Sequence, residues 1–276
     1  MPDAVAPAGA CGSRVYVADY ARNDVEIFPA SNVSNPKPCG KLVTGIQLPL
    51  AVYVDNKGTV YVSDYSGPNG NNPPYPINVF PKGKHTPSLT IDAAGPGYDL
   101  FVGKGRILYV AEATQSAVAE YAPGSTTPRA TLSINGEPYG VATDQNNNLY
   151  VSYLSNADGM GHVEKFAPGA TTGTNLPLTV SLGGEVRLDT ADDVVIGDRN
   201  NNIIDIFAPG QTTPSRSWST AAKPSYIALN HAETYLYTTG FGSVQIFDYA
   251  TGTQVGAISN HLISASGVAV YPPAPF

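Results

Sequence analysis

LYVAEATQSAVAEYAPG, residues 108–124, holds two short apolar runs, a polar break between them, and an aromatic residue followed by a Pro-Gly turn. Each run is too short for a globular helix and is rich in β-branched and aromatic residues, the signature of a strand. The stretch returns along the chain. Its first run recurs as RVYVADY (14–20), VYVSDY (60–65), LYVAEA (108–113), LYVSYL (149–154), VVIGDR (194–199) and LYTTGF (236–241). The third residues of these runs, Val17, Val62, Val110, Val151, Ile196 and Thr238, are spaced 45, 48, 41, 45 and 42 residues apart. That period is the length of one four-stranded propeller blade.

Each copy brings the same companions. A second run ends in Phe or Tyr: VEIF (25–28), INVF (77–80), VAEY (118–121), VEKF (163–166), IDIF (204–207) and VQIF (244–247). Three copies continue into Ala-Pro-Gly, and an outer strand such as RATLSI (129–134) or PSRSWST (214–220) follows. Last comes an inner strand, for example YGVATD (139–144), ending in a turn rich in Asp, Asn and Gly. One such sheet cannot bury both faces, so the copies must close into a ring. The expectation is an all-β chain: a six-bladed β-propeller of four-stranded antiparallel blades. Residues 1–13 form a leader and residues 14–276 the propeller domain. The chain starts on the second strand of a blade and ends on an inner strand, GVAVYP (267–272), which completes the first blade and closes the ring.

Composition supports this and narrows the function. Of 276 residues 13% are charged, with 28 Gly and 24 Pro, which suits short strands and tight turns. The net charge of −7 argues against nucleic acid or an anionic membrane surface as partner. No apolar stretch approaches the roughly 18 residues of a spanning helix. The opening MPDAVAPAGACG has neither the basic nor the apolar region of a signal peptide. Cys11 and Cys39 lack His or Cys neighbours at zinc spacing. They form either a disulfide, which points to a secreted or periplasmic protein, or two buried thiols.

The pattern Gly-Val-Ala-x-Asp, turn, Leu-Tyr-Val-Ala-Asp/Glu, polar loop, Val-x-x-Phe resembles the NHL-repeat propellers, which are related to gluconolactonase-type propellers. The resemblance covers about residues 14–276. It implies a ligand site on the top face, where the inner strands begin, at the central channel. In gluconolactonase-like enzymes a divalent metal is held by an acidic residue in a Glu-Gly-Pro-x-Trp segment and by Asn and Asp of later inner strands. Here no Glu-Gly-Pro exists; the inner strands begin QLPLAV, GPGYDL, GEPYGV, GGEVRL, KPSYIA and SASGVA. The metal triad does not transfer residue by residue.

The candidate ligand-binding residues are Tyr98, Asp99, Glu112, Tyr139, Tyr153, His162, Glu185, Arg187 and Tyr226. Asp99, Glu112, Glu185 and Arg187 lead this set, because other blades carry Gly, Ala or Val where Asp99, Glu185 and Arg187 stand, and buried charges must pair or meet a ligand. Asp19, Asp64, Glu112 and Asp198 recur at the end of the second strand. They suit either a ring of ligands for Ca²⁺ or another divalent cation, or a structural role accepting backbone N–H groups in a turn. Two long top-face loops, 64–76 in blade two and 153–162 in blade four, flank blade three. Of the four histidines only His162 sits where a general base is worth testing. The single Trp, Trp218, disfavours a propeller that stacks a sugar on an aromatic in every blade.

Three functions follow. The first is an extracytoplasmic, monomeric binding or scaffold propeller, presenting a channel site to a small polar ligand or peptide. The second is a metal-dependent hydrolase, lactonase-like, or a lyase with an altered carboxylate set. The third is a propeller that binds partners along an outer blade edge.

Overall fold

The structure, a computed structural model, describes residues 11–66, 72–240 and 242–275. Six four-stranded antiparallel sheets form a ring, as the repeat predicts. From the channel outward, blade three runs Gly97–Val102, Leu108–Glu112, Ala117–Tyr121 and Ala130–Ser133. The other blades repeat that order, with inner strands Pro49–Val54, Gly136–Thr143, Gly183–Leu188 and Ile227–Leu229 in blades two, four, five and six.

Blade one is assembled from both ends of the chain. Its inner strand, Ala265–Tyr271, lies antiparallel to Arg14–Asp19, with Val15 opposite Val270 and Val17 opposite Val268. Residues 1–10 of the expected leader lie outside the described residues. Cys11 enters the first strand tied by a disulfide to Cys39, 28 residues on, with Cα atoms 6.1 Å apart. The chain-entropy estimate for such a loop is about 3–4 kcal/mol. The pair Cys11→Ser with Cys39→Ser is therefore expected to lower Tm by on the order of 10 °C. A melting curve that overlays the wild type would show that the bridge does not constrain the fold.

The aromatic residue that ends each third strand is inter-blade core: Phe28, Phe80, Tyr121, Phe166, Phe207 and Phe247 are all at most 2% exposed. Burying one such ring stabilises by roughly 1.5–3 kcal/mol, and all six copies carry Phe or Tyr there. The turn from inner to second strand has its own chemistry. Asp55 Oδ1 accepts from the N–H groups of Lys57 and Thr59, and Asp144 and Asp189 do the same two and four residues on. Asn230 plays the part in blade six, accepting from Thr234 and Tyr235. Gly58, Asn147 and Asp192 supply the left-handed residue these turns need.

Near the top of the ring the inner strands of blades one to five carry a register shift against their second strands. A bulge re-aims the side chains beside it. A hydroxyl of the preceding blade covers the freed carbonyl: Ser63 Oγ donates to Gly97 and Ser152 Oγ to Gly184, each at 2.6 Å, and Thr239 Oγ1 to Ser266 at 3.0 Å. The two bulges in blades three and five place the charged side chains described next.

Candidate functional site

Asp99 follows the bulge of blade three, and Glu185 lies within that of blade five. Arg187, two residues further along the same face, reaches across the channel. Its Nη1 donates to Asp99 Oδ2 at 2.8 Å and its Nη2 to Asp99 Oδ1 at 3.0 Å, a bidentate pair. Nη2 also donates to Glu185 Oε1, and Nη1 to the carbonyls of Val186 and Val141. Each carboxylate is anchored from the blade that follows its own: Asp99 Oδ2 accepts the Val141 N–H of blade four, and Glu185 Oε2 the Ile227 N–H of blade six. The rings of Tyr53 and Phe101 flank the guanidinium, 6.0 and 5.8 Å from its carbon.

This cluster plugs the channel. Asp99 and Glu185 are each 1% exposed and Arg187 8%. Burial pushes the Glu185 carboxyl well above its ordinary value; Asp99, which hydrogen-bonds it, adds to the rise, and Arg187 opposes it. Burial alone would lower the Arg187 pKa, but Asp99 and Glu185 override it and hold the guanidinium charged. The cluster sets one guanidinium between two buried carboxyl groups. Beneath it a cavity of about 40 Å³, lined by Tyr53, Phe101, Leu188, Val268 and Pro273, has room for only a few waters. The chain end closes that side, since Ala274 N–H donates to the Leu229 carbonyl.

Above the plug lies a different surface. The rings of Tyr98 and Tyr139, from blades three and four, meet edge to face at 5.6 Å. The Arg199 guanidinium of blade five lies over Tyr139, 5.1 Å from the ring centre. Burial raises the Tyr98 phenol above its ordinary value, with Tyr65, Glu137 and Tyr20 adding to the rise and Arg199 opposing it. Tyr226 of blade six is raised by burial and by Glu185, Asp99 and Tyr98. Burial and its hydrogen bond to Glu137 push Tyr139 up to about 12. Groups of all six blades thus come within electrostatic reach of one another here: Tyr20, Tyr65, Tyr98, Tyr139, Arg199 and Tyr226.

Among the expected residues, then, Asp99, Glu185 and Arg187 meet in the plug, and Tyr98, Tyr139 and Tyr226 in the mouth above it. Tyr153 and His162 stand apart. Their rings stack at 5.6 Å in the outer part of blade four, where His162 bonds the Asp158 carboxylate and the Asn175 side chain. Part of the blade-two loop, 67–71, lies outside the described residues.

The second-strand carboxylates hold backbone. Asp19 accepts from the N–H groups of Ile263 and Ser264, Asp64 from Gln47 and Leu48, and Asp198 from Ser181, each on the segment entering its own blade's inner strand. Glu112 does the same with Ala94 and Gly95; burial raises it, and these N–H groups oppose the rise. Burial pushes Asp64 to about 7 against its own donors. A divalent ion needs several converging oxygens. Among the described residues no three His, Cys, Asp or Glu side chains converge. The residues present do not fit the metal group that the gluconolactonase resemblance implies.

Three mouth residues were absent from the sequence reading: Tyr20, Tyr65 and Arg199. Each directly follows the acidic residue that ends a second strand, and that shared offset is the signal that marks them.

No protein-family model matches the chain, and no curated protein sequence matches it. Solved structures do. A chain in the crystal structure of a nidogen/laminin complex is similar at a TM-score of 0.73, over 94% of this chain and 98% of that one, with 17% sequence identity. At that identity the likeness is one of fold. The protein is a six-bladed β-propeller.

Proposed function

We propose that this is an extracytoplasmic, monomeric binding propeller of NHL type, whose top-face channel mouth takes a small polar ligand or a peptide. One observation carries the reading: the channel is shut by the buried Asp99–Arg187–Glu185 cluster, while above it tyrosines and an arginine from all six blades come within electrostatic reach of one another. A mouth closed beneath and lined by phenols offers hydrogen-bond donors and flat apolar faces to one ligand. The Cys11–Cys39 disulfide supports an oxidising compartment. The structural neighbour comes from a protein–protein complex, which supports a peptide or protein as the bound species.

The test is a thermal-shift and ligand-observed NMR screen of short peptides and small polar molecules against wild type and the Tyr98→Ala/Tyr139→Ala variant. Hits are expected to weaken at least roughly tenfold in the variant, a loss of about 1.4 kcal/mol. Hits that bind the variant unchanged would move the site elsewhere.

A further inference from the structure

The mouth has a chemical bias that follows from what each of its groups already holds. Arg199 is half-buried, and its Nε is shielded from solvent with no hydrogen-bond partner among the described residues. Its guanidinium lies over the face of Tyr139, and no described carboxylate lies within ion-pair distance of it. Arg187 shows the contrast, since that guanidinium is saturated by two carboxylates and two carbonyls.

The surrounding phenols are donors. Tyr98, Tyr139 and Tyr226 are all raised above the ordinary phenol value, so each keeps its proton through the physiological range. The nearby carboxylates have hydrogen-bond donors of their own: Glu137 accepts the Tyr139 hydroxyl at 2.9 Å, and Asp198 holds the N–H groups of Ser181 and Asn200. What remains is one cation with no ion-pair partner among the described residues, beside phenol donors and aromatic edges.

We propose that the mouth recognises a carboxylate, paired with the Arg199 guanidinium and hydrogen-bonded by the hydroxyls of Tyr98 and Tyr226, on a molecule whose aromatic body lies against the Tyr98 and Tyr139 rings. This deepens the binding-mouth reading and rests on it. An arginine fork matches the two oxygens of a carboxylate, and charge-assisted bonds of this kind are about twice as strong as neutral ones. A free aromatic acid and the C-terminus of a peptide ending in an aromatic residue present the same head group.

The experiment compares benzoate with benzamide, which differ in charge and not in shape, by ligand-observed NMR at up to about 20 mM. Benzoate is expected to bind roughly tenfold more tightly, with affinity falling as salt is added. Arg199→Gln is expected to bring benzoate down to the level of benzamide. Tyr98→Phe with Tyr226→Phe keeps the rings and is expected to weaken benzoate several-fold. A tetrapeptide ending in tyrosine, with a free or an amidated C-terminus, separates the two sources: binding of the free form alone places the carboxylate on a peptide end, and binding of benzoate without either peptide places it on a small acid.

Equal binding of benzoate and benzamide, both lost in the Tyr98→Ala/Tyr139→Ala variant, would overturn the carboxylate proposal while the binding mouth stands. So would benzoate binding that Arg199→Gln leaves intact, or no benzoate binding where neutral screening hits still occupy the mouth. Loss of every ligand at the mouth, in wild type as in variants, would overturn both.

Discussion

Arg187→Leu is expected to be among the most destabilising single substitutions in this chain, lowering stability by about 3–5 kcal/mol and Tyr98-side ligand binding with it. The substitution removes a cation 8% exposed and leaves Asp99 and Glu185, each 1% exposed, with backbone N–H donors but no cation between them. A leucine fills much of the volume, so the loss is one of charge balance more than of packing. Tm should fall on the order of 10 °C. The triple variant Asp99→Asn, Glu185→Gln, Arg187→Leu should recover much of the loss, because a neutral cluster has no unpaired charge to bury. Glu185 also sets a pH signature. Its folded value lies above its unfolded one, so the folded state retains a proton that the unfolded chain releases above about pH 4.5. Stability therefore falls as pH rises from there through the folded value, and Glu185→Gln flattens that slope. An Arg187→Leu protein that melts within about 2 °C of wild type would mean that Asp99 and Glu185 do not depend on the guanidinium.

The reason this cluster was partly legible in the sequence, and partly not, is geometric. Asp99, Glu185 and Arg187 stood out because they are charges at inner-strand positions where other blades carry small or apolar residues. Strand positions and ring closure were legible for a similar reason: the two-residue alternation repeats six times, and the surplus strand at the chain end has one free partner. What the alignment does not carry is which inner-strand residues meet across the channel. Arg187 and Asp99 are 88 residues apart and belong to blades two apart, and the bulges that aim Asp99 and Glu185 shift the register without any marking residue. The second-strand carboxylates show the opposite case. Their repetition suggested a ring of metal ligands as readily as a turn device, and only the placement of the Gln47, Leu48, Ser181, Ile263 and Ser264 N–H groups on Asp64, Asp198 and Asp19 shows what their oxygens touch. Arg199, Tyr20 and Tyr65 escaped because they sit one residue past a strand end, where loop residues vary for many reasons.

Removing the closing strand, by truncation after Ser264, is expected to abolish cooperative folding. Val268, Ala269 and Val270 are at most 4% exposed and pack with Val15 and Val17 and their neighbours. The two valines alone contribute about 3–6 kcal/mol, a large part of the roughly 5–15 kcal/mol that separates a folded domain from its unfolded chain. The truncation also strips the ladder from Arg14–Asp19, leaving a bare apolar edge beside the channel, and removes the Ser266 hydroxyl that donates to the Ala18 and Pro49 carbonyls. Asp19 loses no donor but Ile263 and Ser264 lose the strand that positions them. The truncated protein should therefore bind a hydrophobic dye, melt without a sharp transition and aggregate at concentrations where wild type is clear. Loss of folding in any truncation has dull explanations, so the argument turns on rescue. Residues 265–271 fused ahead of Cys11 through a short turn would restore blade one as an ordinary hairpin, with the strand entering from the other end of the chain. Recovery of a cooperative melt in that permuted chain, with Val15 again opposite Val270, would show that pairing between the two chain ends is what closes the ring. A truncated protein that melts cooperatively within about 5 °C of wild type would show instead that five complete blades and a three-stranded remnant hold the ring without it.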